Sequence, residues 1–363
     1  MSQALRDAIL RAREHLLGEA DRGFPEVRHT MRFPRAAGFT AKVDDHVNEG
    51  FVRSVLAGLL LDVLELDPDD SGGVRFRESV DEIARQVAQA KQCELGGGWS
   101  YFPDLPELPP DLDSLAAAIA LFARAAPKSL SLCEGPIALA LATIEEDGSR
   151  ETWLLDPADP PPRLAAMRRG IREYWGGGAD VDVCARFYRS LVLVDRQRFA
   201  DVVRRGASFV AAAQRPDGGW TATWYTGQAY ACELCLDLLQ SLEAEGEAAA
   251  RVRRMLLDSQ RADGGWGEDR SLPLETALGL RLLTEFPKER MPSAHTQAAT
   301  IRAMEFLVAA QDPAGIWGAT PWIKMDVGRA QKRVIRTLFY GSTTLTTAFC
   351  LRSLILFASG ADR

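Results

Sequence analysis

Along most of the chain, apolar residues recur at three- and four-residue spacing, the period of a helix with one buried face. The stretches RRGASFVAAAQ, VRRMLLDSQ and IRAMEFLVAAQ show it, and a Gly or Asp-Gly turn that stops a helix follows each of them. A second, more apolar helix comes after each turn. Counting these units predicts six helix pairs. The first helices fall near residues 2–20, 75–92, 131–146, 199–214, 247–260 and 296–311, and the second near 46–66, 111–126, 180–195, 226–243, 272–286 and 341–358. The second helices are rich in small apolar residues (LAAAIALFA, GQAYACELCLDLL, LETALGLRLL), whereas the first carry most of the Arg and Glu. That asymmetry fits an inner ring of helices wrapped by an outer ring. Six hairpins closing on themselves leave no terminal repeat to cap. The expected fold is therefore all-α, a single (α/α)6 barrel over residues 1–363 with its first hairpin in 1–70. Residues 157–178 read as an insertion, with PADPPP (157–162) a loop and 163–175 an extra helix. No strand-rich segment stands out.

A short string marks the joints of this pattern. QCELGGGW ends at Trp99, QRPDGGW at Trp220, QRADGGW at Trp266 and QDPAGIW at Trp317. The gap between Trp99 and Trp220 leaves room for one degenerate copy, and IEEDGSRETW, ending at Trp153, reads as its remnant.

Composition narrows the class. Hydrophobic residues make up 47% and charged residues 26%, enough for a sizeable core. A net charge of −7 lacks the footprint of a general nucleic-acid binder. The longest uninterrupted apolar run, Leu115 to Ala123, is about half of what a membrane-spanning helix needs. The N-terminus shows no signal-peptide core, and six Cys in 363 residues do not make a disulfide scaffold. The expected location is the cytoplasm, with reduced thiols.

At the Gln…Gly-x-Trp strings the sequence resembles the QW repeats of squalene-hopene cyclases and other class II terpene cyclases. GGGWSYFPDLPELPPDLDSLAAAIALFA (96–123) is similar to the family segment in which a Gly-Gly-aromatic string leads into Asp-x-Asp-Asp and then an apolar helix. The likeness runs from about residue 90 to 358 and is weakest over the first 70. It implies structural braces at Gln92, Trp99, Gln214, Trp220, Gln260, Trp266, Gln311 and Trp317. It also implies Asp113 as the general acid that protonates an alkene, with Asp111 as its hydrogen-bonding and charge partner. Ser114 departs from the motif, which has Asp there.

Such chemistry needs an acid that stays neutral, dry and in contact with carbon. A free Asp, with a pKa near 3.9, would be ionised. Burial and a neighbouring carboxylate both raise that value. The ordinary alternative is that an Asp after Pro-Pro merely caps a helix. Asp182 and Arg186, one turn apart, stand where the triterpene cyclases carry an Asp and a His. Arg186 either orients Asp113 or pairs with Asp182 within the helix. The resemblance points Tyr101, Trp224 and Phe339 toward a cavity in which aromatic faces steer a carbocation, with Phe187 and Tyr188 as further members. Core packing is the plain alternative for each. Cations for a diphosphate come from Lys324, Arg329, Lys332, Arg333 and Arg336, and from Arg28, Arg32 and Arg35.

Cys232 and Cys235 form a lone C-x-x-C within an expected inner helix, weak for zinc and better read as small core residues. Asp182-Val-Cys184 resembles part of the zinc set of protein prenyltransferase β subunits, but none of His15, His29, His46 and His295 stands at the head of the last inner helices. The expectation is a terpene cyclase acting on a linear isoprenoid, a C15 or C20 prenyl diphosphate. It would need no cofactor, with Mg2+ at most a counterion of the diphosphate, and no nucleic acid. A second barrel-like partner, a phosphatase or a homo-oligomer is compatible with it. The alternatives are a non-catalytic isoprenoid-binding or partner subunit and, less favoured, a prenyltransferase-like subunit.

Overall fold

The computed structural model describes residues 2–68, 72–91, 98–286 and 293–361. Six helices form the inner ring: α2 (Gly50–Leu66), α4 (Leu112–Ala125), α7 (Val181–Asp195), α9 (Ala229–Ser241), α11 (Pro273–Glu285) and α13 (Thr343–Ala361). Each packs on the next, and α13 closes against α2. Around them stand α1 (Gln3–Asp21), α3 (Gly73–Gln89), α5 (Glu134–Leu141), α8 (Ala200–Ala212), α10 (Gly246–Ser259) and α12 (Ala294–Ala310). The (α/α)6 barrel read from the repeats is thus the fold.

Sequence explains which ring each helix joins. In α3 the buried residues Phe76, Val80, Ile83, Ala84 and Val87 form one stripe, as expected of a helix with one wet face. In α4 every residue from Leu112 to Ile119 is buried, so the helix must be covered on all sides. At roughly 1.5–3 kcal/mol per large apolar side chain taken from water, the inner ring supplies most of the driving force. Its last member, α13, holds the one window among the described residues long and apolar enough to cross a membrane. Of that window, 72% is buried inside the barrel.

The repeated strings act as clamps between neighbouring outer helices. The indole N–H of Trp220 donates to the carbonyl of Val210, that of Trp266 to Leu256, and that of Trp317 to Leu307, each ten residues back at the end of an outer helix. Trp99 does the same to Val87. The Gln of each string reaches forward. Gln214 donates to Ala248 in α10, Gln260 to Ala299 in α12, and Gln311 to Ala8 in α1, which closes the ring. Gly218 and Gly315, at φ 98° and 84°, lie so close to the carbonyls of Arg251 and Arg11 that any Cβ would collide with them. Gln92 lies outside the described residues.

The degenerate copy survives differently from the expectation. Gly148 meets the carbonyl of Arg205 in α8 just as the other glycines meet theirs. Arg150, rather than Trp153, takes the Trp position, and its Nε donates to Ala140 ten residues back, at 3.0 Å. Trp153 is free for another use.

Two β-hairpins correct the expectation of no strands. β1 (His29–Arg32) pairs antiparallel with β2 (Asp45–Asn48), and β3 (Thr320–Val327) with β4 (Arg336–Ser342). The first pair is only four residues long. It alternates in burial, but its inward residues include His29, His46 and Asn48, so no apolar alternation marks it in the sequence; the second is covered unevenly on both faces. The insertion holds α6 (Pro161–Gly170), whose first two residues are the last prolines of the expected loop; proline is tolerated in a first helical turn.

Candidate active site

A narrow chamber of about 40 Å³, partly open to solvent, lies at the end of the barrel where the inner helices begin. Its walls are Phe51, Tyr101, Leu108, Asp111, Asp113, Thr152, Trp153, Trp175, Trp224, Tyr225, Ile323 and Met325. Every one lies in the first turn of an inner helix or in the chain leading to one. Six aromatic rings face three polar side chains. The volume holds one or two waters, whereas small-molecule sites span roughly 300–1,000 Å³, so a ligand enters only as a wall withdraws.

Asp111 caps α4. Its Oδ1 accepts from the Ser114 N–H at 2.7 Å and its Oδ2 from the Ser114 hydroxyl at 2.9 Å. The N-cap reading applies to Asp111, which ties down the helix start, while Asp113, in the first turn, lines the chamber. Ser114 serves Asp111. Burial, reinforced by the nearby Asp113 carboxyl, pushes Asp111 up to about 7.

Asp113 is buried against two partners. Tyr225 donates its hydroxyl to Oδ2. Arg186 places Nε 3.0 Å from Oδ1, close as charges but not aligned as a hydrogen bond. Burial raises the Asp113 pKa, against the lowering pulls of Arg186 and of the Tyr225 hydroxyl. Arg186 also donates to the Tyr230 hydroxyl and lies over the rings of Phe51 and Tyr230 at 5.2 and 5.4 Å. Of the two expectations for Arg186, the structure forms the contact with Asp113, and the pair with Asp182 does not form.

Asp182 has no exposed surface. Its Oδ1 accepts from the Val183 N–H at 3.0 Å and its Oδ2 from Thr223 at 3.4 Å. Burial first, then Asp180 and Asp113, pushes it up to about 8. Its neighbour Asp180 is a hub that the sequence reading missed. It accepts from the Thr152 hydroxyl at 2.9 Å and the Trp224 indole at 2.8 Å, and pairs with Arg329 at 3.3 Å. Arg329 stacks on Trp224 at 4.7 Å and donates to the Trp175 carbonyl, so this cation is engaged in the wall.

Several expectations need correction. Phe339 is 57% exposed. One step along β4, Tyr340 takes the inward place, as alternation in a strand requires. Phe187 and Tyr188 are fully buried but away from the chamber. Tyr188 donates to the Gly148 carbonyl at 2.6 Å and packs on Gly206, where a Cβ would have no room. Lys332, Arg333 and Arg336 are exposed at the tip of the β3–β4 hairpin, outside the chamber. Lys324 sits 3.5 Å from Asp326. Arg28 and Arg32 face Glu49, Asp44 and Asp45 on the first hairpin, and Arg35 donates to the Ala41 carbonyl. Cys232 and Cys235 are buried core residues of α9. Tyr101 and Trp224 line the chamber.

The reading missed Phe51, Trp153, Trp175 and Tyr225. Tyr225 had a signal, since it adjoins Trp224 in TATWY just before an inner helix.

Residues 177–323 match the squalene-hopene cyclase C-terminal domain family. A lanosterol synthase of Aspergillus fumigatus is 30% identical over 132 residues, 31% of this chain and 16% of its own length. A drimenyl diphosphate synthase of Streptomyces showdoensis is 31% identical over 137 residues, 35% of this chain and 24% of its own. The alignments thus span about a sixth to a quarter of the curated relatives. Among solved structures, a type II terpene cyclase from Scytonema, in complex with merosterolic acid A, covers 98% of both chains with a TM-score of 0.71 at 17% identity. The ent-copalyl diphosphate synthase from Streptomyces platensis covers 85% of this chain and 51% of its own, with a TM-score of 0.57 at 19% identity. At these identities the structural likeness establishes the shared barrel.

Proposed function

We propose, from the match of residues 177–323 to the squalene-hopene cyclase C-terminal domain family, that the chain is a class II-type terpene cyclase in which Asp113 protonates a linear isoprenoid. The observation that carries the reading is the Asp113 carboxyl: buried, raised in pKa, and set in the wall of an aromatic-lined chamber. Burial keeps the proton on before reaction. Arg186 and the Tyr225 hydroxyl stabilise the carboxylate once the proton has left, which makes the neutral acid a stronger donor. Asp113 Oδ1, which has no aligned hydrogen bond, is the oxygen that carries the transferable proton.

The proton adds to the terminal alkene carbon, and the cation that forms is attacked by the next double bond. The rings of Phe51, Tyr101, Trp153, Trp175, Trp224 and Tyr225 stabilise the migrating charge without bonding to it. A single barrel favours a short substrate, a C15 or C20 chain. Lys332, Arg333 and Arg336 do not line the chamber, but as exposed cations at the hairpin tip they suit a diphosphate head held outside it, with Mg2+ entering only as its counterion. Incubation with farnesyl and geranylgeranyl diphosphate, wild type against Asp113→Asn, is the test. A cyclic product that disappears in the variant supports the reading. Cyclisation that survives in Asp113→Asn, or saturable binding without turnover by the wild type, overturns it, and the latter outcome identifies a non-catalytic isoprenoid-binding subunit.

A further inference from the structure

We propose that Tyr101 and His29 together form the base that ends the reaction, removing a proton from the last carbocation to leave an olefin. This rests on the cyclase reading above and names residues for a step that reading leaves open. His29 opens β1, in the part of the chain least like the family. It is 3% exposed, and its Nδ1 lies 2.7 Å from the Tyr101 hydroxyl. The imidazole stacks on Tyr340 at 4.4 Å and meets Phe102 edge-on at 5.6 Å. Asn48, the cross-strand partner of His29, donates to the Tyr101 carbonyl. The first hairpin therefore grips one chamber residue twice, once by its backbone and once by its hydroxyl.

The protonation step uses neither group, yet Tyr101 lines the same chamber as Asp113. The ring of His29 meets those of Tyr101, Phe102 and Tyr340; beyond them, Glu26 and Arg53 act on Tyr340. Burial without a charge partner lowers His29 to about 3, so its ring is neutral. A neutral lone pair behind a phenol suits the task, because a carbocation is so strong an acid that position matters more than basicity. A carboxylate in the same place would trap the cation as an ester.

The step balances as follows. The C–H bond beside the cationic carbon breaks and its electron pair becomes the new C=C. The proton passes to the Tyr101 oxygen as the phenolic proton moves along the 2.7 Å contact to His29 Nδ1. The phenol is restored, His29 holds the extra proton and Asp113 is a carboxylate; exchange with water returns the proton from one to the other. The product is an isomer of the substrate. The relay requires the lone pair on Nδ1 and the resting hydrogen on Nε2.

Two measurements test it. Nitrogen-15 NMR of histidine-labelled protein is expected to show His29 neutral, with its hydrogen on Nε2, from pH 5 upward; a hydrogen on Nδ1, or titration near 6.5, overturns the relay. Product analysis of wild type, Tyr101→Phe and His29→Phe is the second, with thermal unfolding as a check on folding. Tyr101→Phe keeps the ring and removes only the hydroxyl. Total turnover falls in both variants, but the decisive reading is partition: the ratio of olefin to water-captured alcohol is expected to drop by about tenfold or more, in line with the loss of a positioned base. An unchanged ratio in Tyr101→Phe, or a wild-type product that is already an alcohol, overturns the dyad while leaving the cyclase reading standing. A wild type that makes no cyclic product at all overturns that reading itself.

Discussion

Replacing Asp182 by Asn probes how dry the carboxyl cluster of Asp113, Asp180 and Asp182 is, without requiring a substrate. The folded side chain titrates at about 8, against 3.8 for the ordinary group. Between these values the folded protein holds a proton that the unfolded chain has lost. The contribution to stability is therefore complete below about pH 4 and disappears as pH rises through about 8. At 1.36 kcal/mol per unit the shift sets a ceiling of roughly 6 kcal/mol. Asp180 and Asp113 raise the same titration, so removing Asp182 alone recovers about half, roughly 3 kcal/mol. Asn places an amide where the acid offers an oxygen to the Val183 or Thr223 N–H, a pH-independent cost of about 1 kcal/mol. The variant should be slightly less stable than wild type at pH 5 and about 2 kcal/mol more stable at pH 9. Urea unfolding at pH 5, 7 and 9, with equal m-values, measures this. A difference that is flat with pH, or that grows against the variant toward pH 9, would mean an ionised and compensated Asp182. The dry cluster, and with it the neutral Asp113, would then be untenable.

Four further outcomes follow from the same contacts. Tyr225→Phe keeps the chamber ring but removes the donor to Asp113; at roughly 1.5–3 kcal/mol for a hydrogen bond to a charged group, kcat should fall about 10- to 100-fold and the Asp113 pKa should rise, both read from a pH–rate profile. Gln311→Glu turns the donor that joins the last repeat to Ala8 in α1 into an acceptor facing carbonyls, at a cost of roughly 2–3 kcal/mol in denaturant unfolding. Arg150→Met loses the bonds to the Ala140 and Trp153 carbonyls and should destabilise by about 3 kcal/mol, with Arg150→Trp recovering part of it by restoring an indole donor. Changing Lys332, Arg333 and Arg336 together to Gln should raise KM for a diphosphate substrate about tenfold and flatten its dependence on salt, while an uncharged isoprenoid should show no such change.

The fold was legible in the sequence because it repeats. The Gln…Gly-x-Trp strings mark each joint, and ring assignment follows from whether a helix is apolar on one face or on all. The substitution of Arg150 for Trp could not be seen, since a guanidinium and an indole share only a donor placed ten residues beyond the same carbonyl. In the site, Asp111, Asp113 and Tyr101 were legible through the resemblance, because all three fall in one stretch that resembles a family segment at the head of an inner helix. Phe51, Trp175 and Asp180 were not, because the barrel brings together six segments whose order along the chain says nothing of their distance in space. Phe339 failed for a local reason: in a strand, one residue of register decides between wall and solvent.

On the proposed cyclase reading, the barrel also gives a physical reason for an acid to stand at this end and not at the other. Alternation between the rings makes all six inner helices run the same way, so their N-termini converge on the chamber. Each N-terminus carries partial positive charge; Asp111 caps α4, and Asp113 and Asp182 lie in the first turns of α4 and α7. Burial favours the protonated acid at rest, while the helix termini and Arg186 favour the anion it becomes, so the proton is held but not held tightly. At the opposite end, where carbonyls gather, the structure places cations. Arg124 reaches the Gly58 carbonyl and Asp62, Arg196 the Ser241 carbonyl, and Arg281 and Arg352 converge on Glu233. An Asp moved to that end would meet guanidinium groups and helix C-termini together. Glu233, held between Arg281 and Arg352, shows the effect: the two guanidinium groups outweigh burial and keep its carboxyl below the ordinary value, opposite to the shift of Asp113.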